Sequence, residues 1–178
     1  MTQKRTQKAT LGMGCFWCST AVYEQLDGIL SVTSGFSGGH VENPTYEQVC
    51  TGETGHAEVA HIEFDSTRIS YEDILYVFWR IHDPTTLNKQ DHDVGTEYRS
   101  IILYHDQKQK LIAKQSKVDA QSLYTNPIVT EIQPFTQFSQ ADKHHQNFYR
   151  NNASLAYCKI VIDPKIEKLK KILTIMEK

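Results

Sequence analysis

The sequence has little excess charge and no long apolar run, and both absences limit the partners that it could serve. Its 19 basic and 21 acidic residues leave a formal charge of −2 at pH 7, so no basic surface for nucleic acid or acidic lipid is expected. The apolar runs are far shorter than the roughly 20 residues that a membrane-spanning helix needs. Met1 to Lys8 are polar and basic without an apolar core, unlike a secretory signal. These absences predict a cytoplasmic protein with neither nucleic acid nor membrane as a partner.

Cysteine is scarce as well, with four among the 178 residues. In a reducing cytoplasm, cysteines are more often catalytic or metal-binding than cross-linked. A structural zinc site built from Cys15, Cys18, Cys50 and Cys158 is the less favoured alternative, because Cys15-x-x-Cys18 has no second close pair to match it. The eight histidines show no metal-binding spacing either, so no metal and no cofactor are predicted. A thioredoxin-like disulfide oxidoreductase that uses Cys15-x-x-Cys18 is the other alternative.

Residues 12–18, with the sequence Gly-Met-Gly-Cys-Phe-Trp-Cys, are the most informative stretch of the chain. They follow an apolar run and precede a helix-like segment, which predicts a strand, a tight turn and a helix. Cys15 would then lie at or just before a helix N-terminus, where the helix dipole favours negative charge and lowers the pKa of a thiol. Phe16 and Trp17 would form an apolar pocket wall beside it. We therefore interpret Cys15 as a reactive nucleophile.

The pattern predicts one domain over residues 1–178, with residues 1–8 as a polar N-terminal extension. The first six long elements run strand, helix, strand, strand, helix, strand, which is the split βαβ order of a ferredoxin-like α+β sandwich. Ser70 and Asp73 form a capping-box pattern ahead of the second of these helices. Asp163 and Pro164 are expected to cap and open the last of several C-terminal helices. The predicted strands are 9–13, 29–35, 58–64, 97–105 and 128–132, and the predicted helices are 20–26, 45–50, 71–81, 106–123, 141–150 and a last one from 163.

Glu58 is the polar residue best placed to assist Cys15, because it begins a strand directly after the polar turn of residues 54–56. Burial beside an aromatic pocket would raise the pKa of its carboxyl group and keep it protonated, ready to donate a proton. The alternative is a surface strand residue. Tyr46, Tyr98 and Asp93 lie in loops on either side of the expected cleft. From the pattern alone, the two tyrosines are interpreted as ordinary half-buried residues, and Asp93 as an exposed loop charge.

The chain resembles the A-type peptide-methionine (S)-S-oxide reductases in seven blocks of sequence that follow one another in the same order. The first is the Gly-Cys-Phe-Trp-Cys motif, which is similar to the family's Gly-Cys-Phe-Trp-Gly/Cys signature. This family reduces methionine sulfoxide to methionine, and it has an α/β sandwich core of the expected kind. Glu97 departs from the family's usual glutamine beside Tyr98. The matching blocks are residues 12–18, 35–39, 43–46, 51–58, 78–85, 93–100 and 145–146.

The resemblance implies a role for each candidate. Cys15 would attack the sulfur of the S epimer of methionine sulfoxide, free or in proteins, while Glu58 protonates the sulfoxide oxygen. Tyr46 and Tyr98 would hydrogen-bond that oxygen, and Asp93 would orient the site and contact the substrate backbone. Phe16 and Trp17 would hold the methyl group of the substrate. The reaction leaves Cys15 as a sulfenic acid, which a second thiol converts to a disulfide that thioredoxin reduces.

Three thiols could resolve this sulfenic acid. Cys18 is favoured, because residues i and i+3 at a helix start lie about 5–6 Å apart, within the range that a disulfide spans. Cys158 is the alternative, in a C-terminal stretch whose placement the sequence does not indicate. Cys50 is interpreted as structural.

Overall fold

In the computed structural model, which describes residues 5–178, six strands form one mixed sheet. The order of the strands across the sheet is β7-β6-β1-β3-β2-β8, and a separate two-stranded hairpin stands in the loop before β6. The strands are β1 (Thr6–Gly12), β2 (Ile29–Ser37), β3 (Ala57–Asp65), β4 (Lys89–Gln90), β5 (Asp93–Val94), β6 (Ile101–Tyr104), β7 (Glu131–Pro134) and β8 (Phe138–Gln140). The helices are α1 (Phe16–Tyr23), α2 (Tyr46–Cys50), α3 (Tyr71–Ile81), α4 (Gln107–Ala120), α5 (Phe148–Asn152) and α6 (Asp163–Met176).

The four central strands have the topology of the predicted split βαβ unit. β1 pairs antiparallel with β3 and with β6, and β3 pairs antiparallel with β2. α1 connects β1 to β2 and α3 follows β3, so each helix belongs to one strand-helix-strand half. The predicted ferredoxin-like α+β sandwich is confirmed. Two edge strands extend it: β7 lies parallel to β6, and β8 lies antiparallel to β2.

The helix α3 has the capping box and the buried apolar face that the sequence predicts. The Ser70 hydroxyl accepts a hydrogen bond from the Asp73 N–H at 3.0 Å, and the Asp73 carboxylate accepts one from the Ser70 N–H at 3.1 Å. This capping box satisfies two backbone donors at the helix start, and such a cap contributes about 1 kcal/mol. Apolar residues at helical spacing are then fully buried against the sheet, among them Ile74, Leu75 and Phe78.

The C-terminal part of the chain differs most from the prediction. Residues 141–150 do not form one helix: a short 3₁₀ turn over Lys143–His145 is separated from α5 by Asn147, whose φ is +51°. Gln146 lies between them because its side chain accepts from the Ser34 N–H at 2.9 Å and donates to the Ser34 carbonyl at 2.8 Å. These two bonds attach the segment to strand β2 instead of leaving it in a helix.

The last helix also begins differently, because a π-helical turn over Cys158–Ile162 leads directly into α6. Asp163 is the first residue of α6 and not its cap. Its carboxylate accepts a hydrogen bond from the Tyr149 hydroxyl at 2.6 Å. Pro164 lies in the first turn, as predicted.

Other boundaries shift by a few residues. β1 begins at Thr6, inside the stretch predicted as an N-terminal extension, and Met1 to Lys4 lie outside the described residues. α1 begins at Phe16 and not at Thr20, and a 3₁₀ turn over Thr96–Tyr98 replaces the start of the predicted strand 97–105. The strand predicted at 128–132 begins at Glu131, and β8 was not predicted. Within residues 5–178, no helix combines the length and apolarity needed to cross a bilayer.

Candidate active site

A glycine turn places Cys15 at the start of α1. Gly14 has a φ of +93°, and a Cβ atom there would come within 2.7 Å of the Gln90 side chain, so the turn requires glycine. Cys15 is the residue that precedes the first helical turn, and its carbonyl accepts hydrogen bonds from the Cys18 and Ser19 N–H groups at 3.1 and 3.3 Å. The predicted strand, turn and helix are therefore present, and the Cys15 thiol is partly exposed at their junction.

The Cys15 and Cys18 thiols are hydrogen-bonded to each other, and this bond changes the pKa of both. It raises the pKa of Cys15, and burial raises it further, whereas weaker hydrogen bonds from Tyr157 and the Trp17 N–H oppose the rise. The same bond lowers the pKa of Cys18, against the effect of burial. The prediction of a lowered Cys15 pKa is wrong for this state, because the interaction with Cys18 and burial both raise that pKa.

Glu58 lies against the first turn of α1. Its side chain is 2% exposed, and its Oε2 atom accepts a hydrogen bond from the Phe16 N–H at 2.9 Å. Burial raises the pKa of this carboxyl group well above its usual value, and the neighbouring Cys15 raises it further, while the Phe16 N–H acts in the opposite direction. The predicted desolvation of Glu58 is confirmed. A carboxyl group in this environment holds its proton more tightly than an exposed glutamate and can act as a proton donor.

Tyr46 and Tyr98 flank the carboxyl group from two different elements. Tyr46 is the first residue of α2, and its hydroxyl group is hydrogen-bonded to the Cys50 thiol. Tyr98 ends the 3₁₀ turn before β6. Burial raises the pKa of both phenols, and the charges of Glu58 and Cys15 act on both in the same direction. Both phenols therefore remain neutral hydrogen-bond donors beside the thiol and the carboxyl group.

Asp93 reaches the same region from strand β5 of the small hairpin. Burial raises the pKa of its half-buried carboxyl group, and Asp91 adds to the rise, while Lys165 opposes it. Its charge in turn affects Glu58, Cys18 and Tyr98. The hairpin is the part of the long 83–96 loop that sequence reasoning left without structure, and it is this hairpin that positions Asp93.

The aromatic wall predicted beside Cys15 is present, and the C-terminal part of the chain completes it. Phe16 is 1% exposed, whereas Trp17 stacks on Phe148 with ring centroids 3.7 Å apart and an interplanar angle of 5°. The Trp17 indole N–H points to His145 Nδ1 at 3.2 Å, and the Tyr157 ring meets the indole edge-on at 5.5 Å. Sequence reasoning missed Phe148 and Tyr157, and the His145-Gln146 block was the only signal for this segment.

A small cavity of about 60 Å³ lies beside the two thiols. It separates them from the hairpin loop and from the first turn of α6. The Tyr157 hydroxyl lies 3.7 Å from the Cys18 sulfur, within hydrogen-bonding distance for sulfur. The residues that line the cavity are Met13, Cys15, Cys18, Gln90, Asp91, His92, Asp93, Tyr157, Val161 and Lys165.

The other two cysteines lie in different surroundings, and all four are free thiols. Cys158 is fully buried in an apolar cluster with Cys18, Ala21 and Ile162, and Cys15 packs against the same cluster. Cys50 is exposed on α2. Within residues 5–178, no three His, Cys, Asp or Glu side chains form a group that could hold a metal ion, so the four cysteines do not form the alternative zinc site.

Three similarities to known proteins agree with this arrangement. The family model described as peptide methionine sulfoxide reductase matches residues 7–176. The chain is 53% identical over 164 residues to the peptide methionine sulfoxide reductase MsrA of Saccharolobus solfataricus, a match that covers 92% of this chain and 93% of the relative. It superposes on reduced Mxr1 from Saccharomyces cerevisiae with a TM-score of 0.82 at 31% identity, covering 86% of this chain and 90% of the other.

Mxr1 in complex with Trx2 is a further structural neighbour, with a TM-score of 0.59 and 25% identity over 83% of this chain and 90% of the other. The family model extends from β1 to the end of α6 and so includes every element that contributes to the site. Because both the family model and the relative of 53% identity match nearly the whole chain, this protein belongs to the peptide methionine sulfoxide reductase family.

Proposed function

We propose that this protein reduces the S epimer of methionine sulfoxide, free or in proteins, with Cys15 as the nucleophile and Glu58 as the acid. The observation that carries the proposal is the buried Glu58 carboxyl group, held by the first N–H of α1 next to the Cys15 thiol. A thiol and a protonated carboxyl group in contact with one helix start supply the two groups that sulfoxide reduction needs. A thioredoxin-like disulfide exchange needs no such acid, and the fold and family also differ from that alternative.

The first step joins the Cys15 sulfur to the sulfoxide sulfur. Glu58 gives its proton to the sulfoxide oxygen, and Tyr46 and Tyr98 donate hydrogen bonds to it as charge develops there. Cys15 passes its own proton along the existing hydrogen bond to Cys18. The oxygen then moves to the Cys15 sulfur: the transient sulfur–sulfur bond and the sulfur–oxygen bond of the substrate break, and a sulfur–oxygen bond forms on Cys15. Methionine leaves, and Cys15 is a sulfenic acid. The aromatic side chains Phe16 and Trp17 hold the methyl group, and Asp93 orients the substrate backbone.

The second step converts the Cys15 sulfenic acid into a disulfide. Cys18 attacks the Cys15 sulfenic acid, a disulfide forms, and water leaves. The interaction between the two thiols supports Cys18 as the resolving residue, since it places Cys18 next to Cys15 in this structure. Cys158 is the second candidate, because it packs in the same apolar cluster as Cys18.

Thioredoxin is the proposed reductant of this disulfide, supported by the structural similarity to Mxr1 in complex with Trx2. We place the protein in the cytoplasm, because the cycle consumes dithiol equivalents that a reducing compartment maintains. Residues 1–178 act as one reductase domain, because the site combines the helices on the main sheet with the small hairpin and the 3₁₀ turn before β6.

The proposed activity is tested with the separated epimers of a methionine sulfoxide peptide, each incubated with dithiothreitol. Methionine should form from the S epimer and not from the R epimer, measured by chromatography of the peptide. Because dithiothreitol recycles the enzyme directly, the identity of the physiological reductant does not affect this result. Equal turnover of both epimers, or of neither, would contradict the proposal.

The resolving thiol is tested by comparing two reductants. Cys18→Ser should remain active with dithiothreitol, which reduces the Cys15 sulfenic acid itself, but should lose nearly all turnover with thioredoxin. Cys158→Ser is the matched control and should keep most of its thioredoxin-dependent turnover. A Cys15–Cys158 linkage without any Cys15–Cys18 species, in peptide maps of the oxidised wild type, would assign resolution to Cys158 instead.

A further inference from the structure

Lys165 connects the last helix to the thiol pair. It is the third residue of α6, its side chain is 17% exposed, and it donates a hydrogen bond to Asp91 Oδ2 at 2.9 Å. Asp91 stands in the turn between β4 and β5, with a φ of +52°. The amine and the two thiols line the same 60 Å³ cavity. The ion pair therefore holds a positive charge at the cavity into which Cys15 and Cys18 open.

The groups that act on Cys18 come from four parts of the chain. Cys15, just before α1, and Tyr157, just before the π-helical turn, interact with it by hydrogen bonding. Lys165 of α6 and Asp93 of β5 act on it through their charges. Asp91 and His92 line the remainder of the cavity from the hairpin turn. Lys165 lowers the pKa of Cys18, whereas Asp93 raises it. Lys165 is the only lysine or arginine that lines this cavity in the described part of the chain.

We propose that Lys165 is a positioning residue for the thiol pair, whose ammonium group stabilises negative charge on Cys18 while Asp91 holds that group at the cavity. The role of Cys18 in the cycle rests on the proposed function, but the effect of the lysine on Cys18 does not. A cation near a thiol favours the thiolate, and the thiolate is the form that accepts a proton or attacks sulfur.

The lysine would act on both steps of the cycle. When Cys15 attacks the substrate, its proton passes to Cys18, which is a better acceptor if it is already the more acidic member of the pair. When Cys18 attacks the Cys15 sulfenic acid, its thiolate forms the sulfur–sulfur bond, the sulfur–oxygen bond breaks, and the oxygen leaves as water after taking up a proton. No further oxidant or reductant enters either step.

The inference is tested on the full chain in a Cys15→Ser background, which cannot turn over and which retains a hydroxyl donor for Cys18. The rate of Cys18 alkylation by iodoacetamide is measured against pH, with the modified peptide identified by mass spectrometry. Lys165→Met should move the midpoint upward by about one pH unit, the lower end of what one neighbouring charge does. Lys165→Arg should restore the midpoint to that of the parent.

Asp91→Asn tests whether Asp91 holds the ammonium group at the cavity, because it breaks the ion pair without removing the lysine. Its Cys18 midpoint should rise toward that of Lys165→Met, since the lysine is then free to turn away from the thiols. An unchanged midpoint in Lys165→Met or in Asp91→Asn would overturn the inference. Lys165→Gln replaces Lys165→Met if the latter melts at a lower temperature than the parent.

With Cys15 intact, disulfide formation after a single turnover should show the same upward shift in its pH profile in Lys165→Met. Peptide mapping of that disulfide tests the resolving role of Cys18 independently. Linkage through Cys158 would refute the proposed cycle and leave the alkylation result standing. If Lys165→Met has the same alkylation midpoint as the parent and the Cys15–Cys18 disulfide still forms, the role of Lys165 is refuted and the proposed cycle is not.

Discussion

Cys15→Ser is expected to abolish methionine sulfoxide reduction, even with excess dithiothreitol. A serine hydroxyl at neutral pH does not attack the sulfoxide sulfur, and Cys15 is the thiol at the start of α1 beside Glu58. The variant should fold normally, because serine is close to cysteine in size and is itself a favoured residue before the first turn of a helix. Turnover of the S epimer is measured by methionine release.

Cys50→Ser is the matched control for the nucleophile. It removes an exposed thiol from α2 and leaves a hydroxyl group to pair with Tyr46, so its turnover should stay near that of the wild type. Circular dichroism and thermal melting establish that both variants are folded. Retention of near wild-type turnover in Cys15→Ser would refute the assignment of the nucleophile.

Glu58→Gln should lower kcat by roughly 10²–10⁴-fold, the usual contribution of a general acid. The amide keeps the size of the side chain and a carbonyl that can accept from the Phe16 N–H, but it has no transferable proton. The fold should be unchanged, so the loss should appear in kcat with a nearly unaltered melting temperature. An unaffected kcat at neutral pH would remove Glu58 from the mechanism.

The pH profile adds a second readout for the same group. Because the pKa of Glu58 is raised in the folded protein, the acid form persists to higher pH than in an exposed glutamate, and kcat should fall as pH rises through that raised pKa. Glu97→Gln is the matched control, since the Glu97 charge contributes to raising the pKa of Glu58. It should keep most of the activity and move the alkaline limb to lower pH.

The parts of the fold that local patterns specify were predictable from the sequence. Ser70 and Asp73 cap α3 as expected, and the alternation of strands and helices gave the split βαβ topology. Gly14 and Cys15 lie at a strand-to-helix turn, as the Gly-Met-Gly-Cys motif indicated. In each case the information lies within a few residues of the position concerned.

The features that the sequence did not predict depend on contacts between distant segments. Phe148 and Tyr157 reach Trp17 only because Gln146 attaches their segment to β2. Lys165 reaches the thiols only because α6 packs beside the hairpin turn. The pKa of Cys15 was wrongly predicted for a local reason instead. The helix start favours a thiolate, but the hydrogen bond to Cys18 and burial outweigh it.

The central claim is that oxygen passes from the substrate to the Cys15 sulfur. A variant in which Cys18, Cys50 and Cys158 are all serine retains Cys15 as its only thiol. One equivalent of the S-epimer peptide is added without reductant, methionine is quantified, and the protein is treated with dimedone before mass spectrometry. The account predicts about one methionine per protein and a dimedone adduct on Cys15, as expected for a sulfenic acid. Methionine formation with an unmodified Cys15, or no methionine from the folded variant, would contradict it.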